Sequence, residues 1–277
     1  MTKMYTTAPL PFQGQKQNFI KQFKEELSKQ RAPALYVDLF GGSGLLSRTA
    51  KDIHPEATVV YNDYDNFRER LQAIPKTNEL LADIRVLVEG IANKSRIDND
   101  IKTQIIDRIA QEKGYIDYIT ISSNVLFSQN YANSIEALKK ESFYNRVRKS
   151  DITLADDYLD GLEIVSIDYK QLFEMYKNHE HVVFLVDPPY LSTDCTTYKN
   201  YWRLKDYLDV LRVLIGQKYF YFTSNKSSIV ELCEWIETNT GGVNPFYEAT
   251  IVERKTNINH QSSYTDIMLF KWTTTTT

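Results

Sequence analysis

The sequence predicts an α/β protein: a doubly wound sheet, mostly parallel, with an antiparallel closing strand and a mainly helical inserted lobe. Three observations carry that expectation. Short apolar runs ending in an acid or polar residue alternate with amphipathic helical stretches, as in a parallel sheet covered on both faces. The first such run opens directly into Gly41-Gly42-Ser43-Gly44. The apolar run Val182 to Val186 stops abruptly at Asp187-Pro188-Pro189-Tyr190, at the strand end where open α/β sheets bind ligands.

In chain order, Pro11-Phe12-Gln13-Gly14 precedes a stretch in which Phe19, Ile20, Phe23 and Leu27 fall on one helical face, so a helix ending before Pro33 should pack on the sheet. Ala34 to Phe40 is the first strand, and the glycine run hands it to a second helix from Leu45. Thr58 to Asp63 is a second strand ending in acid, and Asp65 to Leu71 begins another helix. From Gln72 to about Asp160 long amphipathic stretches replace strand signals. This predicts a helical insert, residues 72–160, in a domain formed by residues 1–71 and 161–277. Strand character returns at Glu163 to Asp168, Val182 to Asp187 and Lys218 to Asn225. Ala249 to Lys255 and Asp266 to Trp272 read as an antiparallel pair around the polar loop Thr256 to Thr265.

With 42% hydrophobic and 13% aromatic residues, the 277-residue chain can bury the core of one domain carrying a large insertion. Thirty-three basic against thirty-six acidic residues give a net charge of −3, so any nucleic-acid contact must use a local patch. The two cysteines, Cys195 and Cys233, offer no disulfide framework and read as free thiols in a reducing cytoplasm. No apolar run approaches the ~20 residues of a membrane helix, and the N-terminus lacks a basic segment followed by an apolar core. A soluble, cytoplasmic protein without membrane contact is expected, with the Thr273 to Thr277 run frayed.

The chemistry concentrates at the strand ends. Neither Pro188 nor Pro189 has an N–H to continue a ladder, so the turn is stiff and leaves the Asp187 carboxylate and nearby carbonyls as fixed acceptors. Such a cluster suits an amino group, and Tyr190 offers a flat face to a planar heterocycle. An ordinary strand-ending turn with a solvated acid is the plain alternative. The glycines bring a ligand close to backbone and to a helix N-terminus. Ser47 occupies the place where a dinucleotide fingerprint wants Gly or Ala, and no Gly-Lys-Ser/Thr follows, so a ligand without a pyrophosphate fits better. Asp63, at the second strand tip, can accept from ribose hydroxyls. His179 and His181 lack a third ligand at metal spacing, and no metal is expected.

Taken in order, Pro11 to Lys16, Asp38 to Gly44, Asn62-Asp63, Asp168-Tyr169 and Asp187 to Tyr190 resemble the alpha group of DNA adenine amino-methyltransferases, the Dam-like family. The matching motifs span nearly the whole chain, while the insert matches only in position and rough pattern. The resemblance implies a Rossmann-like fold and an S-adenosylmethionine site. In it, Phe12 and Lys16 match the N-terminal cofactor motif, and Asp38, Phe40, Gly41, Gly42, Ser43 and Gly44 the cofactor loop. Asp63 would hold the ribose, Asp168 would lie near the cofactor's adenine, and Asp187 would face both cofactor and target.

It further implies methyl transfer to the N6 amino group of an adenine flipped from duplex DNA, with Asp187, Pro188, Pro189 and Tyr190 as the catalytic tetrapeptide. The insert stands where the family keeps its target-recognition region. There Lys139, Lys140, Arg146, Arg148 and Lys149 form a basic cluster interleaved with Phe143 and Tyr144, suited either to phosphates or to a solvated face. Tyr198 and Lys199, in the loop Leu191 to Trp202, would border the DNA strand. Cytosine N4 methylation is an alternative, disfavoured by Asp rather than Ser at position 187, and a DNA-binding module without turnover is another. A monomer or weak dimer is expected, with a cognate restriction endonuclease as a candidate partner.

Overall fold

The computed structural model describes residues 5–127, 130–189, 202–257 and 263–272. Seven strands form one sheet: β1 Leu35–Asp38, β2 Thr58–Asn62, β3 Glu163–Val165, β4 Val182–Val186, β5 Tyr219–Ser224, β6 Thr250–Asn257 and β7 Ser263–Lys271. Their order is β3-β2-β1-β4-β5-β7-β6. The first five are parallel, and β7 and β6 close the sheet antiparallel. Connections leave β1 toward β2 and β4 toward β5 in opposite directions, so the carboxyl ends of β1 and β4 flank the topological switch point.

This is the Rossmann-like, mostly parallel sheet that the sequence predicts, with two boundary differences. The closing hairpin is longer than its apolar pattern, because pairing continues through Lys255↔Thr265, Thr256↔Tyr264 and Asn257↔Ser263. Hydrophobic alternation marks only the part of a ladder that is buried. β3 is shorter than expected, because the Asn62 side chain takes over the pairing beyond it. Its Nδ2 donates to Ile167 O at 2.9 Å and its Oδ1 accepts from Ile167 N at 3.1 Å.

The helices are α1 Ile20–Ser28, entered through a 3-10 turn Gln17–Phe19, then α2 Leu45–Ile53, α3 Phe67–Gln72, α4 Ile74–Leu87, α5 Asn99–Ala110, α6 Tyr118–Val125, α7 Ile135–Lys140, α8 Tyr169–Tyr176, α9 Leu204–Leu214 and α10 Ile229–Thr240. The pleat sends alternate strand residues into two cores. Tyr36, Leu185, Phe220, Phe222, Met268 and Phe270 pack with α1 and α2. Val37, Phe184, Val186, Tyr219, Tyr221 and Leu269 pack with α8, α9 and α10. The predicted face of α1, Phe19, Ile20, Phe23 and Leu27, is buried as expected.

The chain divides into two compact units. One comprises Met1–Thr7, Lys16–Asp65 and Leu159–Thr277 and carries the sheet. The other comprises Ala8–Gln15 and Asn66–Tyr158 and carries α3 to α7. In the second unit Arg70 and Asp117 form an ion pair at 3.0 Å with side chains 2% and 1% exposed. Asp117 also caps α6 by accepting from Thr120 N, while Arg70 Nη2 donates to Pro11 O at 2.7 Å. Phe12 lies edge-on to Phe67, 6.0 Å between ring centroids. The non-helical segment 143–148 is laced by backbone bonds to Ile97, Ser95, Lys94, Val125 and Asn124.

Candidate functional site

Asp38, the last residue of β1, is 1% exposed. Ser47 Oγ, in the first turn of α2, donates to its Oδ2 at 2.6 Å. Its Oδ1 is buried and without a hydrogen-bond partner among the described residues. Burial pushes this carboxyl up to about 7, against the Ser47 hydrogen bond and with the nearby charge of Asp187 adding to the rise.

The glycine loop is tight because Gly44 N donates to Gly41 O at 2.7 Å. Gly42 and Gly44 have φ of 51° and 71°, a region costly for residues with a Cβ. A Cβ on Gly41 would meet Tyr61 Cε2 at 2.3 Å and Asn62 O at 2.6 Å. The loop backbone therefore lies against β2, with Ser43 buried between the glycines. The Tyr61 hydroxyl is 2.8 Å from Gly42 O and 3.1 Å from Asp63 Oδ1, so one hydrogen is shared between the loop and the acid. Asp63 is buried just beyond β2, and its N–H donates to Val165 O at 2.7 Å.

Asp187 follows β4 directly. Its Oδ2 lies 2.6 Å from Lys16 Nζ, with the two side chains 17% and 8% exposed. Its Oδ1 is buried with no hydrogen-bond partner among the described residues. Burial raises the Asp187 pKa, Lys16 opposes the rise, and Asp266 adds to it. Lys16 is held by its neighbours: its carbonyl accepts from Phe19 N at 2.8 Å, and Phe19 and Phe23 pack edge-on against Phe222 and Phe220. The docking of α1 thus fixes the lysine that meets Asp187.

Beyond β3, Asp168 is exposed and caps α8, accepting from Lys170 N at 2.8 Å. Next to it Phe40 and Tyr169 lie 4.8 Å apart by ring centroid, and Trp202 sits 5.8 Å from Phe40 and 6.0 Å from Tyr169. The three rings are partly buried and pack against the core of α8, α9 and α10.

The first unit therefore brings Lys16, Asp38, Phe40 to Gly44, Asp63, Asp168 and Asp187 to Pro189 to the carboxyl ends of β1 to β4. Phe12 belongs to the second unit, as do Lys139, Lys140, Arg146, Arg148 and Lys149. Tyr190, Tyr198, Lys199 and Cys195 lie outside the described residues, as do Thr273 to Thr277. Lys139 and Lys140 are exposed in the last turn of α7. The Arg148 guanidinium donates to Ser150 O at 2.6 Å and Asp151 O at 3.1 Å. Phe143, interleaved with these basic residues in sequence, is a core residue, 1% exposed. Cys233 is a buried free thiol.

The contacts of three residues at the site escaped the sequence reading. Ser47 had a signal, since it fills the sixth place of the glycine fingerprint. Asp266 is a buried acid where β7 otherwise turns apolar, a break in alternation that could have marked it. Tyr61 looked like any strand aromatic. Among the described residues no group of His, Cys, Asp and Glu could hold a metal ion, and no helix is long and apolar enough to cross a membrane.

Comparison with known proteins agrees with this geometry. The family model for D12 class N6 adenine-specific DNA methyltransferases matches residues 12–210. A Haemophilus influenzae (strain Rd) protein named "Putative methyltransferase" is 38% identical over 278 residues, covering 98% of this chain and 94% of its own length.

Proposed function

The chain belongs to the D12 class of N6 adenine-specific DNA methyltransferases, and from that premise we propose that it methylates the N6 of an adenine flipped out of duplex DNA, with S-adenosylmethionine as donor. The observation that carries this reading is Asp187: a carboxylate held by Lys16 at one oxygen, with the other buried and unpartnered among the described residues.

The residues fit the cofactor. Among the described residues, Asp38 and Asp187 each keep a buried acceptor oxygen without a hydrogen-bond partner, and the Gly41 backbone lies where no Cβ could stand. That set suits a cationic ligand with amino and hydroxyl donors. Phe12, Lys16, Asp38, Phe40, Gly41, Gly42, Ser43 and Gly44 would hold it, with Asp63 at the ribose and Asp168 near the adenine. When bound, S-adenosylmethionine supplies an electrophilic methyl group on a sulfonium.

An adenine amino nitrogen is a poor nucleophile because its lone pair is delocalised into the ring. Asp187 and the Pro188 carbonyl would accept from its two N–H groups, making the nitrogen more pyramidal and aiming its lone pair. The Pro188-Pro189 turn and the Lys16 clamp keep these acceptors from reorganising during reaction. Tyr190 would stack on the flipped base, and Tyr198 and Lys199 would border the strand. The second unit would read the target, Lys139, Lys140, Arg146, Arg148 and Lys149 gripping phosphates. We expect a cytoplasmic monomer or weak dimer, with a cognate restriction endonuclease as one candidate partner.

Incubating duplex DNA with methyl-labelled cofactor and analysing the nucleosides tests the proposal. N6-methyladenine is the expected product, and Asp187→Ala should abolish it. N4-methylcytosine, or cofactor binding without turnover in the unaltered protein, would refute it.

A further inference from the structure

The pleat of the sheet brings together more acids than the proposed reaction uses. On β1, Tyr36 faces the core of α1 and α2, so Asp38, two residues on, faces the same way. The same step carries Leu185 to Asp187, Phe222 to Ser224 and Met268 to Asp266. Registers place these at one end of the sheet, since Ser224 pairs with Asp266 and Val186 with Tyr221. Asp38, Asp187 and Asp266 therefore share one face and one edge, and Lys16 enters beside them from the turn before α1.

Asp266 is buried yet belongs to no motif and holds no assigned part of the ligand. It hydrogen-bonds the Tyr264 side chain, and both Asp266 and Lys16 act electrostatically on Tyr264. Lys226, just past β5, places its ammonium 4.9 Å from the Tyr264 ring centroid. Among the described residues, Lys16 before α1, Asp38 on β1 and Asp266 on β7 are thus the charged groups that act on Asp187, while Tyr264 and Lys226 lie one contact further out, beside Asp266. Arg254 on β6 is occupied with Asn18 O and Gln22 Oε1.

We propose that Asp266 is a positioning residue for methyl transfer, acting through the Lys16–Asp187 pair to set the charge that Asp187 presents to the target amino group. Resting on the function proposed above, it adds a residue outside the tetrapeptide and cofactor loop. Physically, a negative charge on β7 competes for the influence of Lys16, the lysine paired with Asp187. Asp187 is consequently held less firmly as a carboxylate than Lys16 alone would hold it. A weaker grip leaves the Asp187 oxygen a stronger acceptor.

The test is the pH profile of the single-turnover methyl-transfer rate, at saturating cofactor and DNA, from about pH 5 to about pH 9. Asp266→Asn should move the acid limb to lower pH by roughly half a unit, and Asp266→Glu should return it. Tyr264→Phe, which removes the hydrogen bond that disperses the Asp266 charge, should move it to higher pH. If Asp266→Asn does not fold, the direction of the Tyr264→Phe shift decides alone. Coincident limbs, with rates lowered equally at every pH, overturn the inference while an active unaltered protein leaves the function standing. An unaltered protein that methylates nothing overturns both.

Discussion

Lys16 Nζ meets Asp187 Oδ2 at 2.6 Å where neither side chain has much contact with water. The pair joins the start of the chain to the end of β4. A buried pair deprived of one partner leaves an uncompensated charge, so Lys16→Met should cost about 3–5 kcal/mol of stability. It should also confine activity to higher pH, because the lysine is what opposes the burial-driven rise at Asp187. Urea midpoints and a pH–rate profile check both, and a profile superimposing on the unaltered one would refute the second.

Asp38 makes stability depend on pH in a definite direction. Burial pushes its carboxyl up to about 7 in the folded protein, from an ordinary value of 3.8. Between those values the folded state keeps a proton that the unfolded state has lost, so this residue's contribution weakens as pH rises through the window and levels above it. Asp38→Asn should flatten that dependence and be more stable at about pH 8 by roughly 2–4 kcal/mol. Thermal unfolding at the two ends of the window measures it. The same variant should bind S-adenosylmethionine more weakly, a trade of stability for a ready acceptor.

At Gly41 the contact is with backbone as well as a ring, since an added Cβ would lie 2.6 Å from Asn62 O and 2.3 Å from Tyr61 Cε2. Backbone cannot swing aside as a long side chain does. Gly41→Ala should therefore lose about 1–3 kcal/mol or more and displace the loop, read as a lowered Tm together with weakened cofactor binding.

In the second unit, Arg70→Met leaves Asp117 buried without its ion-pair partner and should cost about 3–5 kcal/mol. Adding Asp117→Leu should recover part of that loss, whereas simple additivity would show that the two residues are not coupled. Denaturant titrations of both single variants and the double variant complete the cycle.

Much of this site was legible because strand ends carry their own punctuation. Asp38 before the glycines, Asp63 after an apolar run and Asp187 before two prolines each stand where a buried strand stops, and each lies at the same edge of the sheet. What could not be read were partners brought together across space. Ser47 was visible as a departure from a glycine pattern, but its hydrogen bond to Asp38 depends on α2 docking over β1. Asp266 is distant in sequence from Asp187, and only the β4-β5-β7 registers place it on that face. The burial of Phe143 could not be read for a related reason: in a segment without helix or strand no periodicity separates inside from outside.

The boundary between the two compact units falls inside the Pro11-Phe12-Gln13-Gly14-Gln15-Lys16 segment, assigning Pro11 to Gln15 to the second unit and Lys16 to the first. Arg70 holds Pro11 by its carbonyl, and Phe67 holds Phe12 by its ring. Exchanging residues 66–158 alone between relatives, to move the proposed target-recognition lobe from one chain to another, would strand residues 8–15 from these supports. A working chimera has to transplant residues 8–15 along with the lobe.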